Sequence, residues 1–154
     1  MQYAIAIIFL LIFIQDLRYR GVHWVLFPML LLGCVYYSFE AISMIQILQN
    51  IAFLLVLLSS LTIYLSIKEG KIINITEGYF SWGDILFLIV IIPLFPFHLY
   101  MLFFIAGTIL TLIFHLLASI ISKQKTLPYA GYMSLIGMGY LFFESKIQFI
   151  TNYL

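Results

Sequence analysis

Apolar residues run almost without interruption along the chain, and a few polar clusters divide the run into stretches of membrane-spanning length. The first cluster is Asp16-Leu17-Arg18-Tyr19-Arg20, and the second is Glu40. The third extends from Lys68 to Ser81 and holds two lysines, two glutamates and two glycines. The last runs from Ser122 to Pro128 and carries Lys123 and Lys125. Crossing ~30 Å of hydrocarbon takes about 20 helical residues. The intervals therefore predict spans from Met1 to just beyond Gln15, from Trp24 to Phe39, from Ile45 to Ile67 and from Tyr129 to about Ile150. The apolar stretch from Asp84 to Ile121 is too long for one crossing. Pro93 and Pro96 supply the breakers that divide it into two spans joined by a tight hairpin.

Composition agrees with this pattern. Hydrophobic residues make up 65% of the chain and charged residues 8%, against about 25% charged in a soluble globule. The expected protein is an all-α, polytopic membrane protein of about six transmembrane helices, forming a single domain over residues 1–154, with the lipid bilayer as its surroundings. A net charge of +1 gives no basic field for nucleic acid. The single cysteine, Cys34, excludes an internal disulfide and a cysteine-ligated zinc site, and it reads as a small buried apolar residue. The first run lacks a basic leader region and a small-residue cleavage site, so it reads as a retained span.

Six of the seven basic residues fall after the first, third and fifth spans: Arg18, Arg20, Lys68, Lys71, Lys123 and Lys125. By the positive-inside rule these loops are cytoplasmic and both termini are extracytoplasmic. Asp16 then ends the first span going inward, and Asp84 begins the fourth leaving the same face. They are the only aspartates in the protein and lie 68 positions apart (84 minus 16). The topology predicts that they meet.

An acid at the centre of a membrane helix costs about 2.5–3.5 kcal/mol on insertion scales, and less toward the interface. Each aspartate has a simpler reading by itself. Asp16 can pair with Arg18 or Arg20 at a helix end, and Asp84 can cap the helix that follows it. Taken together at one depth, they match a different chemistry. Two carboxyls in a shielded site do not both ionise cheaply, so one holds a proton while the other accepts one. That is the acid and base pair of aspartic proteolysis, in which the sequence leaves open which aspartate is the base. Gly83, lacking a Cβ, is expected to let a second helix or an extended substrate approach Asp84 closely.

Three segments resemble the type IV prepilin peptidases. Asp16-Leu17-Arg18-Tyr19-Arg20-Gly21-Val22 is similar to the family's first aspartate motif, an acid closing a span before a basic cluster. Trp82-Gly83-Asp84-Ile85 looks like the end of its Gly-x-Gly-Asp motif. Leu127-Pro128-Tyr129-Ala130-Gly131-Tyr132 is similar to the segment that opens its last helix. The resemblance covers Asp16 to about Gly137. Ser81 stands where the motif has its first glycine, Leu86 where a lysine is common, and Gly21-Val22-His23 lacks the usual proline.

The resemblance implies a membrane aspartic endopeptidase that removes the leader peptides of pilin-like or pseudopilin precursors at the cytoplasmic face of the cell (inner) membrane. Asp16 and Asp84 match its catalytic positions, with Gly83, Trp82, Arg18 and Arg20 in support, and no cofactor is implied. The chain lacks the paired cysteines and the insertion that longer members use for N-methylation, so methyltransferase activity is not expected.

Other residues carry weaker signals. His23, His98 and His115 are scattered and have no metal-ligand spacing, so no metal site is predicted, although His23 is near enough to Asp16 in sequence to tune it. Glu69 and Glu77 read as solvated loop charges, and Ala130 with Ser134 as a pair suited to close helix packing. Two rival readings remain open. One is a small proton- or cation-coupled transporter that uses the same acids, and the other is a non-catalytic peptidase homologue acting in assembly.

Overall fold

In a computed structural model, the structure describes residues 2–39, 42–72, 75–76, 80–121 and 127–153. Glu77, Lys123 and Lys125 lie outside the described residues. Among the described residues all regular structure is helical: α1 (Gln2–Tyr19), α2 (Leu26–Ser38), α3 (Met44–Glu69), α4 (Trp82–Val90), a 3-10 turn (Ile92–Leu94), α5 (Phe97–Ile121) and α6 (Tyr129–Tyr153). Within these residues α1, α3 and the Phe97–Leu117 part of α5 are long and apolar enough to cross a membrane.

Local chemistry sets the helix ends. Ser43 caps α3 in a capping box with Gln46, and Gly70 ends that helix at φ 65°. Arg20 takes the same left-handed conformation after α1, at φ 54°, with its N–H bonded to Asp16 O at 3.1 Å. A side chain is disfavoured there by about 1–2 kcal/mol. The termination of α1 is therefore strained beside one of the two aspartates.

The fourth apolar run differs from the expected full span. α4 has nine residues, and even with the 3-10 turn the segment Trp82–Leu94 reaches only about 20 Å at 1.5 Å per residue. Pro93 causes the early stop, because it cannot donate to the helix ladder. The freed carbonyls are buried, and side chains from neighbouring helices satisfy them. Asn50 of α3 donates from Nδ2 to Phe95 O at 2.8 Å and to Ile92 O at 3.3 Å, while Tyr100 of α5 donates from its hydroxyl to Leu88 O at 3.0 Å. Irregular backbone is tolerated at membrane depth only where protein or a water-filled cavity encloses it, and here Ile91 to Phe95 are all buried. α2, with 13 residues, is short in the same way.

The core forms where α1 meets α2 and α6 and where α2 meets α4. Ile5, Phe9 and Ile12 of α1 are buried with Leu30 of α2, Phe87 and Leu88 of α4 and Met133 of α6. Gly137 lets α6 approach α1, since a Cβ there would stand 3.1 Å from the Phe9 ring. Ala130 and Ser134 are both buried, in keeping with a close-packed face of α6. Large side chains outside this core, such as Leu32, Val56, Leu102 and Leu116, remain exposed, as expected where lipid is the solvent.

Candidate active site

The last turn of α1 and the first turns of α4 and α6 meet at one end of the bundle, and each contributes one part of the site. Asp16 and Asp84 are both buried there, at 7% and 9% exposure. The N-terminus of α6 holds them side by side. Gly131 N–H donates to Asp16 Oδ2 at 2.7 Å, and the preceding Ala130 N–H donates to Asp84 Oδ1 at 3.0 Å. These are first-turn amides that no helix carbonyl can satisfy, and the positive end of the helix dipole favours negative charge beside them. Pro128 precedes this first turn, and its carbonyl accepts the Tyr132 N–H at 3.1 Å. Two residues distant in sequence are thus fastened to neighbouring peptide groups.

Asp84 has a second anchor. Ser81 is the N-cap of α4 and forms a reciprocal capping box with Asp84 at N3. The Ser81 hydroxyl donates to Asp84 Oδ2 at 2.8 Å, and the Ser81 N–H donates to the same oxygen at 3.1 Å. Asp84 is therefore not itself the cap. The residue that departs from the resembled motif instead orients the acid. Asp84 accepts from three donors across both oxygens, and Asp16 accepts from one among the described residues. The two carboxyls interact electrostatically, and Arg20 acts on Asp16 with the opposite sign.

The supporting residues divide. Arg20 belongs to the electrostatics of the site. Arg18, two positions from Asp16 and so on another side of the helix, lies over the Tyr19 ring at 5.5 Å. Trp82 is 66% exposed and turned outward. Gly83 does not have the expected close approach: a Cβ there would meet Ser81 Oγ at 3.5 Å and Phe27 at 3.9 Å, which are ordinary contacts. The close approach belongs to Gly131, where a Cβ would stand 3.1 Å from both Cβ and Oδ2 of Asp16. His23 is exposed and is tied to Gln15 Oε1 through its backbone N–H at 2.9 Å, so the groups acting on Asp16 are Gly131, Asp84 and Arg20. His98 is exposed and His115 half-buried. Among the described residues no three His, Cys, Asp or Glu side chains cluster as metal ligands do.

Behind the aspartates, Tyr129 is buried with its hydroxyl 3.0 Å from Thr108 of α5, and its ring packs edge-on against Phe80 at 5.3 Å. These contacts fix the start of α6, and with it the two amides. Ser81 had a legible signal, since Ser-x-x-Asp before an apolar run is a capping-box pattern. The amides of Ala130 and Gly131 had none, because every residue but proline carries one. Comparison with known proteins gives no matching family, no matching curated protein and no matching solved structure.

Proposed function

We propose that the chain is a membrane-embedded aspartic endopeptidase that cleaves the leader of a pilin-like precursor at the cytoplasmic face, with Asp16 and Asp84 as its acid and base. One observation carries this reading: two buried aspartates from separate helices accept hydrogen bonds from the consecutive amides of Ala130 and Gly131. The substrate class rests on the resemblance of the three motifs. In this proposal the helices traverse the bilayer six times with both termini outside, and the membrane thins around the short α2 and α4.

The chemistry needs water and no cofactor. One carboxylate takes a proton from a water molecule, whose oxygen forms a bond to the peptide carbonyl carbon. The partner acid gives its proton to the carbonyl oxygen, forming a neutral tetrahedral diol. Collapse breaks the C–N bond, returns the diol proton to one carboxylate and moves the other proton to the departing nitrogen. The carboxyls end as one acid and one base, ready for another cycle. Burial in a water-poor site strengthens each electrostatic step.

Co-expression with a pilin-like precursor tests the proposal. Leader cleavage is expected with the wild type, and Asp16→Asn and Asp84→Asn should each reduce it about a hundredfold or more. Cleavage that persists in either variant removes the pair from the mechanism. A wild type that cleaves no such precursor removes the substrate class.

A further inference from the structure

A second polar constellation lies at the other end of the bundle. Glu144 is the single acidic residue of α6, 13 positions beyond Gly131 (144 minus 131), or about 20 Å along the helix. It is half-buried at the end of an apolar run, where a charge needs a partner. Two tyrosines converge on it. The Tyr37 hydroxyl, from the last turn of α2, donates to Glu144 Oε2 at 3.5 Å, and Tyr140, one turn earlier on α6, lines the same space and interacts electrostatically with the carboxylate.

These groups line a cavity of about 350 Å³. Tyr37, Ser38, Tyr140 and Glu144 form its polar walls, and Leu94 and Leu99 its apolar floor. The recess exists because α2 stops at Ser38 and the α4 segment stops at Leu94, while α6 continues past both. α2 also ends here, directing the negative end of its dipole toward the same space. Tyr140 is held in place by its ring packing on Phe95, 4.6 Å away.

We propose that this recess binds an alkylammonium group, with Glu144 as its counter-ion and Tyr37 and Tyr140 as its hydroxyl and aromatic contacts. Carboxylate, phenol hydroxyls and a helix C-terminus all favour a cation. Among the described residues a multivalent metal would find one carboxylate and no second acid, thiol or imidazole lining the recess. An organic ammonium suits the remaining features, because aromatic faces attract it and Leu94 and Leu99 accept its carbon chain. The ion can come from a free amine or from an ethanolamine or choline lipid headgroup. The site is independent of the aspartate pair.

The test uses the full chain in phosphatidylglycerol nanodiscs, which contain no ammonium headgroup. In one arm, choline, ethanolamine and the neutral isostere 3,3-dimethylbutanol are titrated while the unfolding midpoint and heat of binding are followed. In the other, phosphatidylethanolamine is added and its retention is read by native mass spectrometry. The proposal expects binding of the free cations, retention of the lipid, or both, with no response to the neutral isostere. The arm that responds identifies the source. Glu144→Gln should weaken binding about tenfold or more. Tyr37→Phe, which keeps the ring and loses the hydroxyl, should weaken it to a smaller degree and serves as the probe if Glu144→Gln does not fold. No binding in either arm, equal binding of the neutral isostere, or unchanged affinity in Glu144→Gln and Tyr37→Phe would overturn the assignment.

Discussion

At the scale of single residues, the site depends on a peptide group more than on any side chain near it. Gly131 contributes an N–H to Asp16 and leaves room for that aspartate to reach it, and both functions concern the same oxygen. An alanine would put its Cβ 3.1 Å from Asp16 Oδ2, a contact that is relieved only by turning the carboxylate away. Gly131→Ala is therefore expected to lower precursor cleavage about tenfold or more. Stability should change less: alanine gains about 1 kcal/mol in helix propensity, which partly offsets about 1–3 kcal/mol of overpacking. Gly139→Ala is the matched control, since nothing lies within 4 Å of its Cβ. It should leave cleavage unchanged and raise the unfolding midpoint slightly. A Gly131→Ala variant that cleaves as well as the control would show that the carboxylate needs no fixed seat on α6.

At the scale of elements, the broken helix between α4 and α5 is the feature the apolar pattern hides. The order of helices was legible in the sequence because each polar cluster interrupts an unambiguous apolar run, and the structure places α1, α3 and α5 on those runs. The short reach of α4 was not legible, since Ile91 and Ile92 continue the run and the backbone turns before the proline that causes it. The meeting of Asp16 and Asp84 followed from counting spans. Their seat on α6 did not, because amides leave no mark on a sequence.

Asn50 holds that break together. Asn50→Leu, of similar volume, would leave Phe95 O without its donor, at about 1–3 kcal/mol for a buried carbonyl, whereas Ile92 O keeps the Phe95 N–H at 3.5 Å. It would also remove Asn50 Oδ1, which is itself buried without a partner among the described residues. One orphaned acceptor replaces another, so the expected net destabilisation is that of the lost hydrogen bonds themselves, about 1–2 kcal/mol. Reversible unfolding in mixed micelles measures it. A neutral or stabilising result would mean that the carbonyls find water when the amide is gone.

At the scale of the whole molecule, sidedness decides whether the aspartates can meet a cytoplasmic substrate. The C-terminal end of α1 and the N-terminal ends of α4 and α6 converge on the pair, so the connections before α4 and α6 and after α1 share one side. Arg18, Arg20, Lys68 and Lys71 belong to the chain on that side, and the positive-inside rule predicts that it is the cytoplasmic one. Two single-cysteine probes mark this face: His23→Cys, and Ile72→Cys at a position that is 97% exposed. Ser43→Cys, at the exposed cap of α3, marks the opposite face. The native Cys34 is fully buried, and replacing it with alanine clears the background. In intact cells a membrane-impermeant maleimide should label position 43 and spare 23 and 72, and inverted vesicles should reverse the pattern. Labelling of 23 and 72 from outside would leave the aspartate geometry intact but open it to the wrong compartment. The pair would then need an extracytoplasmic substrate, and the proposed leader cleavage would fail on topology even if the residues themselves proved catalytic.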